Sequence, residues 1–265
     1  MAQKERTAEK SQGRREYAQL VGIILVASIL GIALALIIDW FPTQASAEAH
    51  KIDTLYDVLM ICSVPFFVLV VTVVGFAVVK WRVRPGQELE DGPPIHGNTR
   101  LEVIWTAIPA LILVSLCSYA YAVLHDIEKA RANPAERMTV QVYGQQFAWH
   151  YVYPKAVKGK DLTTNSLYLP AGKQIQFDVH AKDVLHDFFV PAFRLKIDAV
   201  PGITTHFRAT PTRLGAYPVV CAELCGLGHG LMRSTVHVVS QRDFNAWLAR
   251  QKPSAGISSP PDPTP

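Results

Sequence analysis

The sequence predicts a membrane-anchored chain: two or three N-terminal transmembrane α-helices, then an all-β sandwich or barrel domain. Two observations carry this. Three apolar runs without a charged side chain, at 20–38, 58–79 and 103–124, occupy the first half of the 265 residues. The second half is polar and divides into short Val-, Tyr- and Phe-rich segments separated by turn residues. A composition of 49% hydrophobic and 18% charged residues is only the average of these two unlike halves; the three charge-free runs are what exclude a purely soluble protein.

At about 1.5 Å per residue, runs of about 19, 22 and 22 residues each approach or exceed the roughly 30 Å of a bilayer's hydrocarbon core. Helices buried in a soluble core rarely stay charge-free on every side for this long, so the second and third runs are read as spans over 54–80 and 101–125. The first, within 17–41, follows a basic stretch at 1–16 (Lys4, Arg6, Lys10, Arg14, Arg15) and precedes Ala45-Ser46-Ala47. Small residues there suit a cleaved signal peptide, whereas 19 apolar residues and the interfacial Trp40-Phe41 suit an additional transmembrane helix. Both readings stand at this level.

Orientation follows from Lys and Arg in short loops. The basic N-terminus and the 81–100 loop, with Arg82, Arg84 and Arg100 beside Lys80, belong in the cytoplasm, while the connection between the first two runs offers only Lys51. The third run then exits outward, which places 127–252 on the outer or periplasmic side of a multi-pass protein of the cell (plasma) membrane. The net charge of +4 is modest and no aromatic-basic array is present, so no nucleic acid partner is expected.

The outer segment reads as strands. Residues 138–153 form one β-rich run, 166–179 alternate around Pro170-Ala171-Gly172, and 203–209, 215–220 and 234–239 continue the pattern. Several short strands with turn signals between them indicate a sandwich or barrel. Residues 243–251 suit a short closing helix, and the Pro- and Ser-rich tail, 253–265, has the composition of a disordered segment.

The chemistry concentrates in Cys221-Ala-Glu223-Leu-Cys225-Gly-Leu-Gly-His229-Gly-Leu-Met232, which gathers two thiols, an imidazole and a thioether on one loop. His186 offers an upstream imidazole. Soft donors of this kind select copper over calcium or magnesium, and two thiolates can bridge two ions. A disulfide between paired external cysteines and a Cys2His2 zinc site are the competing readings; a disulfide has no use for His186, His229 and Met232, and the thioether favours copper over zinc. Glycines 226, 228 and 230 suit a tightly folded loop. Cys62 and Cys117 lie within apolar runs and read as small buried hydrophobes.

These residues make the chain resemble subunit II of the heme-copper cytochrome c oxidases. The resemblance covers about 53–248 and rests on His96-Gly97-Asn98, Leu101-Glu102 to Trp105-Thr106 and Pro109, Asp183 to His186, Lys196 to Gly202, and the 221–232 loop. It implies two membrane helices followed by an external cupredoxin-like Greek-key domain, the first apolar run being additional. It further implies a binuclear copper centre, CuA, bridged by Cys221 and Cys225, with His186, His229, Met232 and the backbone carbonyl of Glu223 as terminal ligands. The Glu223 side chain matches a magnesium ligand at the boundary with subunit I, and Glu102 matches the entry of a proton path. An ordinary helix-dipole partner is the alternative for Glu102.

The function so implied is electron transfer from cytochrome c to heme in subunit I, where oxygen is reduced to water with proton pumping. The chain is thus part of a proton-translocating oxidoreductase but does not reduce oxygen alone. Subunit I, with the hemes and a further copper, and subunit III are the expected partners. No Cys-x-x-Cys-His occurs, so this chain binds no c-type heme.

Two departures bear on the donor. Where the family carries Gln-Trp-x-Trp, this chain has Gln146-Phe147-Ala148-Trp149, which leaves Trp149 as the candidate for electron entry. From residue 127 on, 16 Lys and Arg face 10 Asp and Glu, a poor match for a basic cytochrome; a membrane-attached cytochrome c is therefore as suitable as a soluble one. A membrane-anchored copper carrier or sensor, and the copper-free structural subunit of a quinol oxidase, are the alternatives. The full donor set and Glu102 argue against them.

Overall fold

The computed structural model describes residues 2–80, 82, 86, 96–131 and 133–253, with side chains from residue 13 onward except that of Pro134. Most of the 81–100 loop and the tail from 254 lie outside the described residues. The chain divides into two compact units, 1–39 with 55–120, and 40–54 with 121–265.

The first unit is helical. It is built on α1 (Ala2–Ile37), α2 (Ala49–Lys80) and α3 (Thr99–Ile127). Each contains a segment long and apolar enough to cross a bilayer. Large side chains such as Leu30, Phe67 and Leu111 are exposed in the isolated chain, as expected for surfaces that face lipid or other subunits. Three hydroxyl groups in α2 and α3 are satisfied within their own helices: Ser63 donates to the Leu59 carbonyl, Ser115 to Leu111 and Ser118 to Val114. In hydrocarbon no water would do this. Gly31 lets α1 approach α2 closely, since an added Cβ would lie 2.8 Å from Val64 Cγ1. Lys80 and Glu16 pair at 2.7 Å.

The second unit holds two five-stranded mixed sheets. One has the order β3-β2-β1-β5-β8, from β1 (Arg137–Gln145), β2 (Ala148–Val157), β3 (Lys160–Thr164), β5 (Gln174–Ala181) and β8 (Thr205–Ala209). The other has the order β4-β10-β9-β6-β7, from β4 (Leu167–Pro170), β6 (His186–Val190), β7 (Leu195–Ala199), β9 (Gly215–Cys221) and β10 (Arg233–Val239). The β1–β5 and β4–β10 pairs are parallel and the others antiparallel. Alternate residues face inward, as the two-residue period of a strand dictates. Val140 and Val142, Ile175, Phe177 and Val179, Leu167 and Leu169, Phe188 and Val190, and Val236 and Val238 thereby make one core. The closing helix, α4 (Gln241–Ala249), is capped by Ser240, whose Oγ accepts from Asp243 N, and it lays Trp247 against Tyr153.

The expected 138–153 strand is two strands of a hairpin that turns at Gln146 and Phe147. Strands β3, β6 and β7 carried no recognised signal. In β6 and β7 the charged Asp187, Lys196 and Asp198 sit among short apolar stretches, so only pairing with neighbouring strands makes them sheet.

Residues 40–54 belong to this unit. Ala45 is fully buried in the sandwich core; its N–H donates to the Ala192 carbonyl and its carbonyl accepts from Thr212 N. Ala47 N donates to Thr210 O, and the Glu48 carboxylate accepts from Thr210 N at 2.8 Å. Arg194 grips Asp53 through Nε at 2.6 Å and Nη2 at 2.8 Å, donates to the Pro42 carbonyl, and stacks on Phe41. The small-residue trio Ala45-Ser46-Ala47 is thus woven into the β domain, and a chain cut after Ala47 would lose Ala45 from the core.

Candidate metal centre

Strand β6 begins with His186, β9 ends with Cys221, and the loop that follows returns through Met232 to β10. The Cys221 N–H donates to the Met232 carbonyl and Ala222 N to Asp187 O, so both ends of the loop are tied to the sheet. The sequence-derived donors come together here. Cys221 Sγ lies 3.8 Å from Cys225 Sγ and 3.9 Å from His186 Nδ1. Cys225 Sγ lies 3.7 Å from His229 Nδ1 and 3.8 Å from Met232 Sδ. The Glu223 carbonyl is 3.2 Å from Cys221 Sγ. His186, Cys221, Cys225 and Met232 are buried, and both cysteines are free thiols. At 3.8 Å the sulfurs are well beyond the roughly 2.05 Å of a disulfide.

The surroundings orient these groups. His186 Nε2 lies 2.8 Å from Asp183 Oδ1, which assigns the proton to Nε2 and leaves the Nδ1 lone pair facing the thiols. Burial pushes the Asp183 pKa up, but the Gln146 N–H, His186 and the Val184 N–H outweigh it and hold the carboxyl below its usual range. Burial, reinforced by the adjacent Cys221 thiol, raises the Cys225 pKa to about 11. A metal must therefore displace a proton there.

Trp149 is not at the surface. It is 2% exposed, with its ring edge-on to Phe188 at 5.3 Å and to His186 at 6.0 Å, so it walls the site from within. Its position on β2 turns this candidate for electron entry into the core, beside His186. The aromatic ring exposed on the same hairpin is Phe147, at 39%. It lies over the loop where Gly228 has no side chain; an added Cβ would come within 2.5 Å of the ring. Gly226, at φ +132°, is the other glycine the loop requires, whereas a Cβ on Gly230 would meet open space.

Glu223 is partly exposed at the loop's edge. In the helical unit, Glu102 lies in the first turn of α3, where its carboxylate accepts from Asn98 N while the Asn98 side chain accepts from Leu101 N. This reciprocal pair is a helix cap, so Glu102 has a local structural task. Cys62 and Cys117 stand in the spans and, among the described residues, belong to no cluster of metal-binding side chains. Sequence reasoning placed Gln146 only in the 146–149 pattern and missed its bond to the loop, in which its side chain donates to the Cys225 carbonyl at 2.6 Å. It also missed Asp187, which faces away from the thiols toward Lys196 at 3.3 Å; burial and the neighbouring Asp198 raise its pKa to about 6. Asp187 had no signal beyond its adjacency to His186, and the Gln146 bond had none, since it joins residues 79 apart.

Three apolar helices joined to a two-sheet sandwich with soft donors at one end define a membrane-anchored, cupredoxin-like protein. Residues 23–123 match the family described as cytochrome C oxidase subunit II, transmembrane domain, and 157–239 match cytochrome C oxidase subunit II, periplasmic domain. The cytochrome c oxidase subunit 2 of Thermostichus vulcanus is 34% identical over 82% of each chain. That of Synechocystis is 27% identical over 87% of this chain and 83% of its own. The periplasmic domain of subunit II of Bradyrhizobium japonicum cytochrome oxidase is similar at 29% identity and TM-score 0.40, over 42% of this chain and 91% of that one. The chain belongs to the cytochrome c oxidase subunit II family. It is a membrane subunit of a heme-copper oxidase, an oxidoreductase complex, and the family implies a copper site.

Proposed function

We propose that this chain is the electron-entry subunit of a cytochrome c oxidase in the plasma membrane, with its β domain outside. The observation that carries the reading is the buried set of two unbonded thiols, an imidazole and a thioether, a donor chemistry that fits copper. Cys221 and Cys225 would bridge two coppers, with His186, His229, Met232 and the Glu223 carbonyl as terminal ligands. When bound, the copper pair supplies a one-electron centre between cytochrome c and the heme of subunit I.

The chain's own residues prepare that site. Asp183 holds the His186 tautomer, Trp149 packs against His186 and Phe188, and the sheets limit ligand movement. Phe147 and the fully exposed Leu227 offer apolar contact to the donor, a cytochrome c either soluble or membrane-attached. Charge alone would steer a basic donor poorly to this basic domain. The Glu223 carboxylate is proposed to bind magnesium at the boundary with subunit I, subunit III is proposed as a further partner, and the first helix is proposed to remain as a third span.

Copper analysis and the electron paramagnetic resonance spectrum of the purified oxidase test the reading. Two coppers on this chain sharing one unpaired electron are expected; a single copper, zinc or a Cys221–Cys225 disulfide in the active complex would overturn it.

Glu102 is proposed at the mouth of a proton path in subunit I. Glu102→Gln keeps an acceptor for Asn98 N but cannot carry the proton, whereas Glu102→Ala also removes that one hydrogen bond, worth about 1 kcal/mol, and leaves the Asn98 cap in place. Both variants are expected to slow proton uptake during heme reduction and to leave reduction of the copper site at its normal rate. Normal proton uptake in Glu102→Gln would confine the residue to capping.

A further inference from the structure

We infer that Gln146 is a positioning residue of the metal centre, a clamp joining the two chain segments that carry its ligands; this rests on the copper reading above. Gln146 stands at the β1–β2 turn and bonds in two directions. Its backbone N–H donates to Asp183 Oδ2 at 2.7 Å, and the other oxygen of that carboxylate takes His186 Nε2 at 2.8 Å and Val184 N at 2.7 Å. Its side-chain Nε2 donates to the Cys225 carbonyl at 2.6 Å. One residue therefore fixes the approach to β6, which presents His186, and the middle of the loop, which presents Cys225.

The loop is shaped to receive this bond. A Cβ on Gly226 would come within 2.9 Å of Gln146 Nε2, so the glycine after Cys225 leaves the space through which the amide reaches the carbonyl. Apart from this bond, the centre of the loop is held by short-range turns, His229 N to Gly226 O and Leu231 N to Gly228 O, which follow the loop wherever it moves. The bond from Gln146 is the one that refers the Cys225 peptide to the sheet. Its loss frees that peptide and with it the spacing of Cys225 Sγ from Cys221 and His229. Main-chain donation to Asp183 is independent of the side chain, so substitutions at 146 isolate the thiol half of the clamp.

The test uses the full-length chain in detergent. Gln146→Met keeps the length and packing of the side chain without a donor; Gln146→Glu places a carboxylate against the carbonyl. In the copper-free protein, amide hydrogen exchange at 226–232 is expected to quicken up to about tenfold in Gln146→Met, the loss of one net hydrogen bond, and more in Gln146→Glu, with exchange in β1 and β5 unchanged. After copper loading, both variants are expected to bind wild-type amounts of copper with a changed hyperfine pattern and a shifted reduction potential. Unchanged loop exchange, or an unchanged spectrum and potential at full copper content, overturns the inference. Faster loop exchange in the variants together with a wild-type chain that binds no copper pair would sustain the clamp and overturn the copper reading instead.

Discussion

Cys225→Ser is expected to abolish the copper pair in the assembled oxidase while the β domain stays folded. A serine hydroxyl is a hard donor with a far higher pKa than a thiol, and it cannot replace a thiolate that faces Cys221, His229 and Met232 within 3.8 Å. The fold tolerates the change because the residue sits on a loop after β9 and its buried hydroxyl costs only about 1–3 kcal/mol if unpaired. Copper per chain should fall below two and the shared-electron signal should vanish; Cys221→Ser should behave alike. Two coupled coppers in either variant would refute the ligand assignment. The proton on Cys225 adds a sign to copper uptake in the wild type. With a pKa near 11, the free thiol is protonated at neutral pH, so copper competes with the proton on Cys225 and apparent affinity should rise as pH is raised toward that value.

Arg194→Ala is expected to release the 40–54 segment from the sandwich. The guanidinium side chain is 6% exposed and the Asp53 carboxylate 18%, and the arginine also donates to the Pro191 and Pro42 carbonyls. Removing it leaves Asp53 with Gln44 Nε2 as its remaining side-chain donor in an enclosed place. Breaking a buried pair from one side costs about 3–5 kcal/mol, and partial exposure of Asp53 puts this case at the lower end. For a domain of this size, that corresponds to a loss of about 10 °C in Tm. New protease sensitivity near Ala45-Ser46-Ala47 should accompany it. Arg194→Lys should recover part of the loss, because an ammonium keeps the charge but not the two-pronged geometry. Unchanged melting and no cleavage in Arg194→Ala would show that the segment is held by its backbone pairing alone.

The β1–β2 hairpin shows where residue type and residue position part. Phe147 and Trp149 are two apart on one hairpin, and a strand sends such residues to the same side only while its pleat continues. The turn at Gln146 and Phe147 breaks that regularity, so Phe147 lies on the loop and Trp149 faces inward against Phe188. The same turn brings Gln146 to Cys225, 79 residues away, a contact that no local pattern encodes.

The amino-acid sequence by itself determined the features that depend on local chemistry. Charge-free length makes helices that can cross a bilayer, alternation makes strands, and soft donors three to four residues apart must share one loop whatever surrounds it. Tertiary structure decided what depends on pairing between distant segments. It tied His186 to the cysteines through β6 and β9, which only the sheet order makes neighbours, and it recruited Gln146 to the loop. It also drew Ala45 into the sandwich, where backbone groups of 45–47 find partners at Ala192, Thr210 and Thr212. Those partners lie more than 140 residues along the chain, so no local pattern of small residues could announce the pairing.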